Sequence, residues 1–150
     1  MFIPIILGSE ADRPHAEKII SYIQPFGVET EIKVCSAHKV PEKLVEYINQ
    51  INAREDAVVY ITCAGRSNGL SGCTSGSATH PVIACPPFSD KADYNVNIHS
   101  TVMMPSDTPA MTVVDPQNAA IAAVKILALT DADLKAKVEA HIQEVKAKFS

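Results

Sequence analysis

The N-terminal half of this chain alternates short, almost wholly apolar runs with segments whose apolar residues recur at helical spacing, and few folds accept that pattern. Phe2–Leu7 is apolar at every position, as a strand is when both faces of its sheet are covered. Ala16, Ile19, Ile20, Ile23 and Phe26 follow at helical spacing, with Asp12 as a candidate N-cap, Pro14 in the first turn and Gly27 as the stop. Thr30–Cys35 reads as a second strand. Pro41 opens a helix whose inner face carries Leu44, Val45, Ile48 and Ile51, and Ala57–Cys63 and Pro81–Cys85 are a third and a fourth strand. Strands separated by helices need crossover connections, so the expected fold is α/β: a three-layer, flavodoxin- or Rossmann-like sandwich. Its sheet is mainly parallel, with helices on both faces.

Beyond Cys85 the pattern weakens. Residues 86–110 are polar and Pro-rich without a period, a length that an unpatterned loop reaches mainly when it is functional. The segment after the third strand is Gly/Ser/Asn-rich to about Thr79, and its Cys73-Thr74-Ser75-Gly76 is more polar and Gly-rich than is expected of a helix there. Met111–Val114 is a fifth strand and Pro116–Leu129 an Ala-rich helix. Asp131–Phe149 carries Leu134, Val138, Ile142, Val145 and Phe149 along one stripe. That extra C-terminal helix packs either on its own domain or on a neighbouring subunit.

A chain of 150 residues fits one domain, 1–150, with a real core but no separate lid. A net charge of −4 argues against a general nucleic-acid surface. No apolar run reaches the roughly 18 residues that span a bilayer, and no basic region precedes a long apolar stretch at the N-terminus, so the expected location is the cytoplasm. Cys35, Cys63, Cys73 and Cys85 include no C-x-x-C pair and read as reduced, structural thiols. Cys35-x-x-His38 lacks a second half-site, so no metal is expected.

Three strand ends run into small-polar turns: Gly8-Ser9-Glu10-Ala11-Asp12, Ser36-Ala37-His38-Lys39 and Ala64-Gly65-Arg66-Ser67-Asn68-Gly69. Such turns are what a ligand site on an open parallel sheet requires. Gly8 permits a tight turn, and the Ser9 hydroxyl with free helix-start amides suits a phosphate. Asp12 has the wrong charge for phosphate and suits ribose hydroxyls or a ring amine, its plainer role being the N-cap. Lys39 can neutralise a phosphate, and an imidazole such as His38 moves protons near neutral pH. Singly, each also reads as a solvated surface residue. Gly65-Arg66-Ser67-Asn68-Gly69 also spells G-x-S-x-G, with Asp115 and His141 in the chain order of a hydrolase triad. The short chain, the missing HGGG-type motif and the helical setting of His141 disfavour that reading. His15, His80 and His99 show no partners in the sequence.

Together with Pro81-Val82-Ile83-Ala84-Cys85-Pro86-Pro87, Met104-Pro105 with Pro109, and Asn118-Ala119-Ala120, these motifs resemble, in order and spacing, the PurE family of 5-aminoimidazole ribonucleotide carboxylases and mutases of purine synthesis. The resemblance covers about residues 2–129. Class I members, which rearrange an N-carboxylated ribonucleotide, carry a pattern like A-G-x-A-A-H-L-P-G. Here Gly69 stands where that histidine would fall, so the chain resembles class II, which uses CO2 directly. The resemblance implies His38 as the general acid/base. It implies Gly8, Ser9, Ser36 and Lys39 around the phosphate, Asp12 at the ribose or ring amine, and Gly65, Arg66, Ser67 and Asn68 around CO2 and the base. It implies no cofactor, a homo-oligomer (commonly an octamer) with sites at subunit junctions, and small-molecule partners rather than nucleic acid or membrane. The alternatives are the class I mutase activity and a non-catalytic nucleotide-binding relative.

Overall fold

The computed structural model describes residues 1–149. Its strands are β1 (Phe2–Leu7), β2 (Glu29–Val34), β3 (Tyr60–Cys63), β4 (Val82–Ala84) and β5 (Ala110–Thr112). Its helices are α1 (Arg13–Ile23), α2 (Pro41–Asn52), α3 (Gly69–Ser77), α4 (Lys91–Val102), α5 (Pro116–Leu127) and α6 (Ala132–Ala147). The five strands form one sheet in the order β2-β1-β3-β4-β5, and every pairing is parallel. This is the flavodoxin-like order of a doubly wound sheet.

Each face of the sheet has its own core. Ile3, Ile5, Leu7, Ile61 and Ile83 point to one side, where Ile19 and Ile23 of α1 meet Ala119, Ala123, Val124 and Leu127 of α5. Phe2, Ile6, Tyr60 and Val82 point to the other, covered by Leu44, Tyr47, Ile48 and Ile51 of α2 and Leu70 of α3. The short alanines of α5 let it lie close to α1, as close packing demands. Gly27 ends the α1 region in a left-handed conformation at φ 73°, a turn that glycine adopts without strain.

The structure corrects the sequence reading at several points. Gly69–Ser77 is a helix, because Asn68 caps it and Ser71, Thr74 and Ser75 are buried. Its glycines serve packing: a Cβ on Gly72 would lie 3.2 Å from Met104 Sδ, and one on Gly76 3.3 Å from Thr108 Cγ2. A second unforeseen helix, α4, occupies much of the unpatterned stretch. It shows no apolar period because only Ile98 and Thr101 are buried while Val96 stays 74% exposed. On α2, Tyr47 turns inward and Val45 is exposed. The third strand begins at Tyr60, with only an isolated Phe2–Val58 bridge before it. The α6 stripe divides: Leu134 and Val138 pack into the domain's own core, whereas Val145 and Phe149 are exposed. No helix among the described residues is long and apolar enough to cross a membrane.

Candidate active site

From β1 the chain crosses to β2 on one side, and from α2 it returns to β3 on the other, so the carboxyl ends of β1 and β3 flank the topological switch point. A crevice opens there in any such sheet. In this chain it is a cavity of about 590 Å³, within the usual range for small-molecule sites. The β1 end supplies Gly8, Ser9 and Asp12; the β2 end supplies Ser36, His38 and Lys39; the β3 end supplies Gly65, Arg66 and Ser67. Ala37, Ala64, Leu70 and Pro87 give it apolar wall.

Short ladder bonds fix these turns. Gly8 N–H donates to Cys63 O at 2.9 Å and Cys35 N–H to Leu7 O at 2.9 Å, aligning the three strand ends. Val40 N–H donates to Ser36 O at 3.0 Å, closing the turn that carries His38 and Lys39. Ser9, not Asp12, is the cap after β1: its Oγ accepts from Ala11 N–H at 3.3 Å. Asp12 makes no side-chain cap bond to α1. Its carboxylate is left for the cavity, where partial burial raises its pKa above the ordinary value, against a smaller opposing effect of a hydrogen bond from the Ser9 backbone.

A carboxylate held partly buried at a ligand site costs stability. Because the folded-state pKa is raised, the penalty is absent at low pH, where the group is protonated in both states, and grows as pH rises through the folded value. Asp12→Asn is therefore expected to raise the unfolding temperature at pH 7, by an increment that disappears as pH falls below the ordinary value of 3.8. Calorimetry across that pH range, beside ligand binding at pH 7, checks both halves: greater stability and weaker binding.

His38 is exposed, and its ring lies against Gly69. A Cβ at position 69 would sit 2.9 Å from His38 Nε2 and 3.0 Å from Cε1, closer than non-bonded carbon and nitrogen approach. Gly65 is tighter still: a Cβ there would lie 2.4 Å from the main-chain oxygen of Pro87.

Asn68 alone of the expected site residues turns away from the cavity. It is 3% exposed, and its side chain is fully engaged between α3 and α4. Oδ1 accepts from Ser71 N–H at 3.0 Å and from Ser71 Oγ–H at 2.8 Å, while Nδ2 donates to Thr101 Oγ1 at 2.9 Å. Its N–H donates to Ser100 Oγ. The hydrolase triad does not form: Asp115 caps α5 through Asn118 N–H at 2.8 Å, and His141 packs edge-on against Phe26 at 5.5 Å, in the α5–α6 region.

Ser89 and Asp93, at the start of α4, line the cavity as well and escaped the sequence reading. Ser89 N–H and Oγ–H both donate to Asp93 Oδ2, at 2.9 and 3.1 Å, and Asn97 Nδ2–H donates to Oδ1 at 2.6 Å. The Ser89 amide, with help from Asn97 and nearby Arg66, holds that carboxyl below the usual range. The signal was present as Ser89-Asp90-x-x-Asp93, a helix-start pattern, but no apolar period followed it.

The AIR carboxylase family model matches residues 2–148. A phosphoribosylaminoimidazole carboxylase of Archaeoglobus fulgidus is 44% identical over 134 residues, covering 89% of this chain and 73% of the relative. An N5-carboxyaminoimidazole ribonucleotide mutase of Methanocaldococcus jannaschii is 40% identical over 148 residues, covering 97% and 91%. The crystal structure of Treponema denticola PurE superposes with a TM-score of 0.93 at 37% identity, covering 99% of this chain and 93% of that one.

Proposed function

This chain belongs to the AIR carboxylase family, and from that premise we propose that it carboxylates 5-aminoimidazole ribonucleotide with CO2 to the 4-carboxy product, a step of purine biosynthesis. One observation carries the reading: the turns after β1, β2 and β3 converge on one cavity with the exposed His38 imidazole at its edge.

The aminoimidazole ring is electron-rich, and its C4 acts as an enamine carbon. An electron pair from the ring forms the C4–CO2 bond, leaving C4 tetrahedral with both a carboxylate and a hydrogen. His38 removes that proton, the C–H electrons restore the aromatic ring, and the imidazolium then passes its proton to solvent. In reverse, His38 protonates C4 and CO2 departs. Acid–base help of this kind is typically worth about 10²–10⁴-fold. Ser9, Ser36 and Lys39 hold the phosphate, with Gly8 permitting its close approach, and Asp12 accepts from ribose or the ring amine. Gly65, Arg66 and Ser67 with the apolar wall of Ala37, Ala64 and Leu70 hold CO2 against C4, a contribution of proximity. Asn68 supports this wall from behind rather than touching substrate.

A mutase relative at 40% identity favours the mutase reading. Against it stands Gly69, whose missing side chain is what leaves His38 its present position. Gly69→Ala is expected to displace the His38 ring, a mobile side chain, and so to lower turnover about 10-fold or more while substrate binding and the unfolding temperature change little. Steady-state kinetics beside a thermal melt checks this; unchanged turnover would remove the significance of the contact.

The same proposal takes the chain as one cytoplasmic catalytic unit, 1–150, acting as a homo-oligomer, an octamer by family resemblance. Exposed apolar side chains support assembly: Val96 and Met103 at α4 are 74% and 76% exposed, and Phe149 is 89% exposed. The deciding experiment supplies bicarbonate with and without carbonic anhydrase, beside the N-carboxylated ribonucleotide. Turnover that follows dissolved CO2 and ignores the N-carboxylated compound supports the carboxylase; the reverse supports the mutase. Binding without turnover of either identifies a non-catalytic relative.

A further inference from the structure

We propose that His15 is a positioning residue of this site, donating from Nε2–H to the carbonyl of Cys85 and so fixing the Pro86–Pro87 segment that forms the cavity wall beside Gly65. The sequence left His15 without a partner. In the structure it sits in the first turn of α1, just after the Gly8–Asp12 turn, and Nε2 lies 3.2 Å from Cys85 O across a sequence separation of 70. It thereby joins the segment that carries Ser9 and Asp12 to the segment that carries Pro87, Ser89 and Asp93.

The need for such a donor follows from the sheet. Cys85 is the first residue past β4. Its N–H still donates to Thr62 O at 2.8 Å, and Val113 N–H donates to Ala84 O at 2.9 Å. The Cys85 carbonyl lies one step beyond the β3–β4 register, which ends at Thr62–Ala84, where β3 turns off through Ala64 and Gly65. A buried carbonyl without a donor costs the folded state, and His15 is the donor supplied.

The tautomer is set by the surroundings. Nε2 is also 3.4 Å from Cys85 Sγ, but Sγ lies 3.6 Å from Val114 O, to which the thiol can donate. The Cys85 carbonyl and thiol are both satisfied when Nε2 carries the proton and gives it to Cys85 O while Sγ–H turns to Val114 O. Burial, the largest influence on this imidazole, lowers its pKa; the Cys85 bond and Asp115 oppose that, and Lys18 reinforces it. Burial likewise raises the Cys85 thiol to about 12, which keeps it a thiol rather than a nucleophile.

What the bond holds is a wall with no slack. The Pro87 oxygen occupies the space a side chain on residue 65 would need, 2.4 Å from that Cβ position. Pro86 is buried, and Ser89 and Asp93 follow directly. If the Cys85 carbonyl loses its donor, Pro87, Ser89 and Asp93 lose their common anchor, and the cavity loses its fit to the ligand.

The inference rests on the carboxylase reading for what the wall holds, and two readouts separate them. Wild type, His15→Gln and His15→Phe are compared by amide hydrogen exchange over residues 88–93 and by kcat and KM for 5-aminoimidazole ribonucleotide. The Gln amide can reach the same carbonyl; the Phe ring fills the same space without a donor. His15→Phe is expected to speed exchange over 88–93 and to lower kcat/KM about 10- to 100-fold, chiefly through KM, with His15→Gln close to wild type in both. Wild-type exchange and kinetics in a folded His15→Phe overturn the proposal, as does a folded His15→Gln impaired as badly as His15→Phe. If His15→Phe does not fold, the nitrogen-15 shifts of His15 in the wild type decide: a protonated Nε2 sustains the proposal and a protonated Nδ1 overturns it. If the wild type turns over no ribonucleotide, the carboxylase reading fails, while the exchange comparison still decides the role of His15.

Discussion

His38→Asn is expected to lose about 10²–10⁴-fold in carboxylation, the usual worth of a positioned acid–base group, without measurable loss of folding. The two halves of that expectation have separate grounds. His38 is exposed and lies outside both hydrophobic cores, so replacement should move stability by no more than about 0.5 kcal/mol. The asparagine amide keeps a hydrogen-bonding group but titrates at no accessible pH, so C4 cannot be deprotonated by it. Substrate should still bind, because the groups proposed for the phosphate, Ser9, Ser36 and Lys39, remain. The measurement is turnover in both directions together with exchange of the C4 hydrogen, and a thermal melt as control. A folded variant that carboxylates at the wild-type rate would sink the acid–base role.

The inner strands β1, β3 and β4 were legible because they are buried throughout and read as nearly unbroken apolar runs. The edge strands β2 and β5 are only partly buried, and β2 alternates Glu29, Glu31 and Lys33 with Thr30, Ile32 and Val34. All five were found, β1 with both ends as read and the others with one or both ends moved by one to three residues. The helices of the first half were legible for the complementary reason: Ile19, Ile23, Leu44 and Ile48 must meet the sheet. The illegible helices are those that bury only one large apolar side chain each, Leu70 on α3 and Ile98 on α4. Helix α3 buries Leu70 but otherwise packs through Gly72 and Gly76 and buries Ser71 and Thr74, a composition more polar and Gly-rich than is expected of a helix. Helix α4 begins on Asp90, whose Oδ1 accepts from Ala92 and Asp93 N–H at 2.8 and 2.9 Å, and buries too little to leave a stripe.

The same division explains the site. Residues next to strand ends were found because strand ends can be read, which is why Gly8 to Asp12, Ser36 to Lys39 and Gly65 to Ser67 came out together. Asn68 is adjacent to them in sequence but turns inward, to cap a helix that was not foreseen. Ser89 and Asp93 reach the cavity only because α4 exists. His15 lies on a helix that was foreseen, yet its partner is far along the chain, and one sequence offers no register between α1 and the end of β4.

Gly65→Ala is the second large effect, and it should differ in kind from His38→Asn. The added methyl would stand 2.4 Å from the Pro87 oxygen, at least half an ångström inside any tolerable contact. The obstacle is main chain, not the tip of a side chain that can swing aside. Pro86 and Pro87 resist moving because their rings fix φ, and the Cys85 carbonyl before them is tied to His15. The strain therefore falls on stability and site together. We expect a loss of about 1–3 kcal/mol, the usual cost of overpacking, and a fall in kcat/KM as the wall shifts. Gly69→Ala meets only the His38 ring and should keep its stability. Running both through denaturant melts and kinetics makes the contrast the test. If Gly65→Ala were as stable and active as wild type, the wall would have slack, and neither Gly65 nor the anchor behind Pro87 would define the cavity.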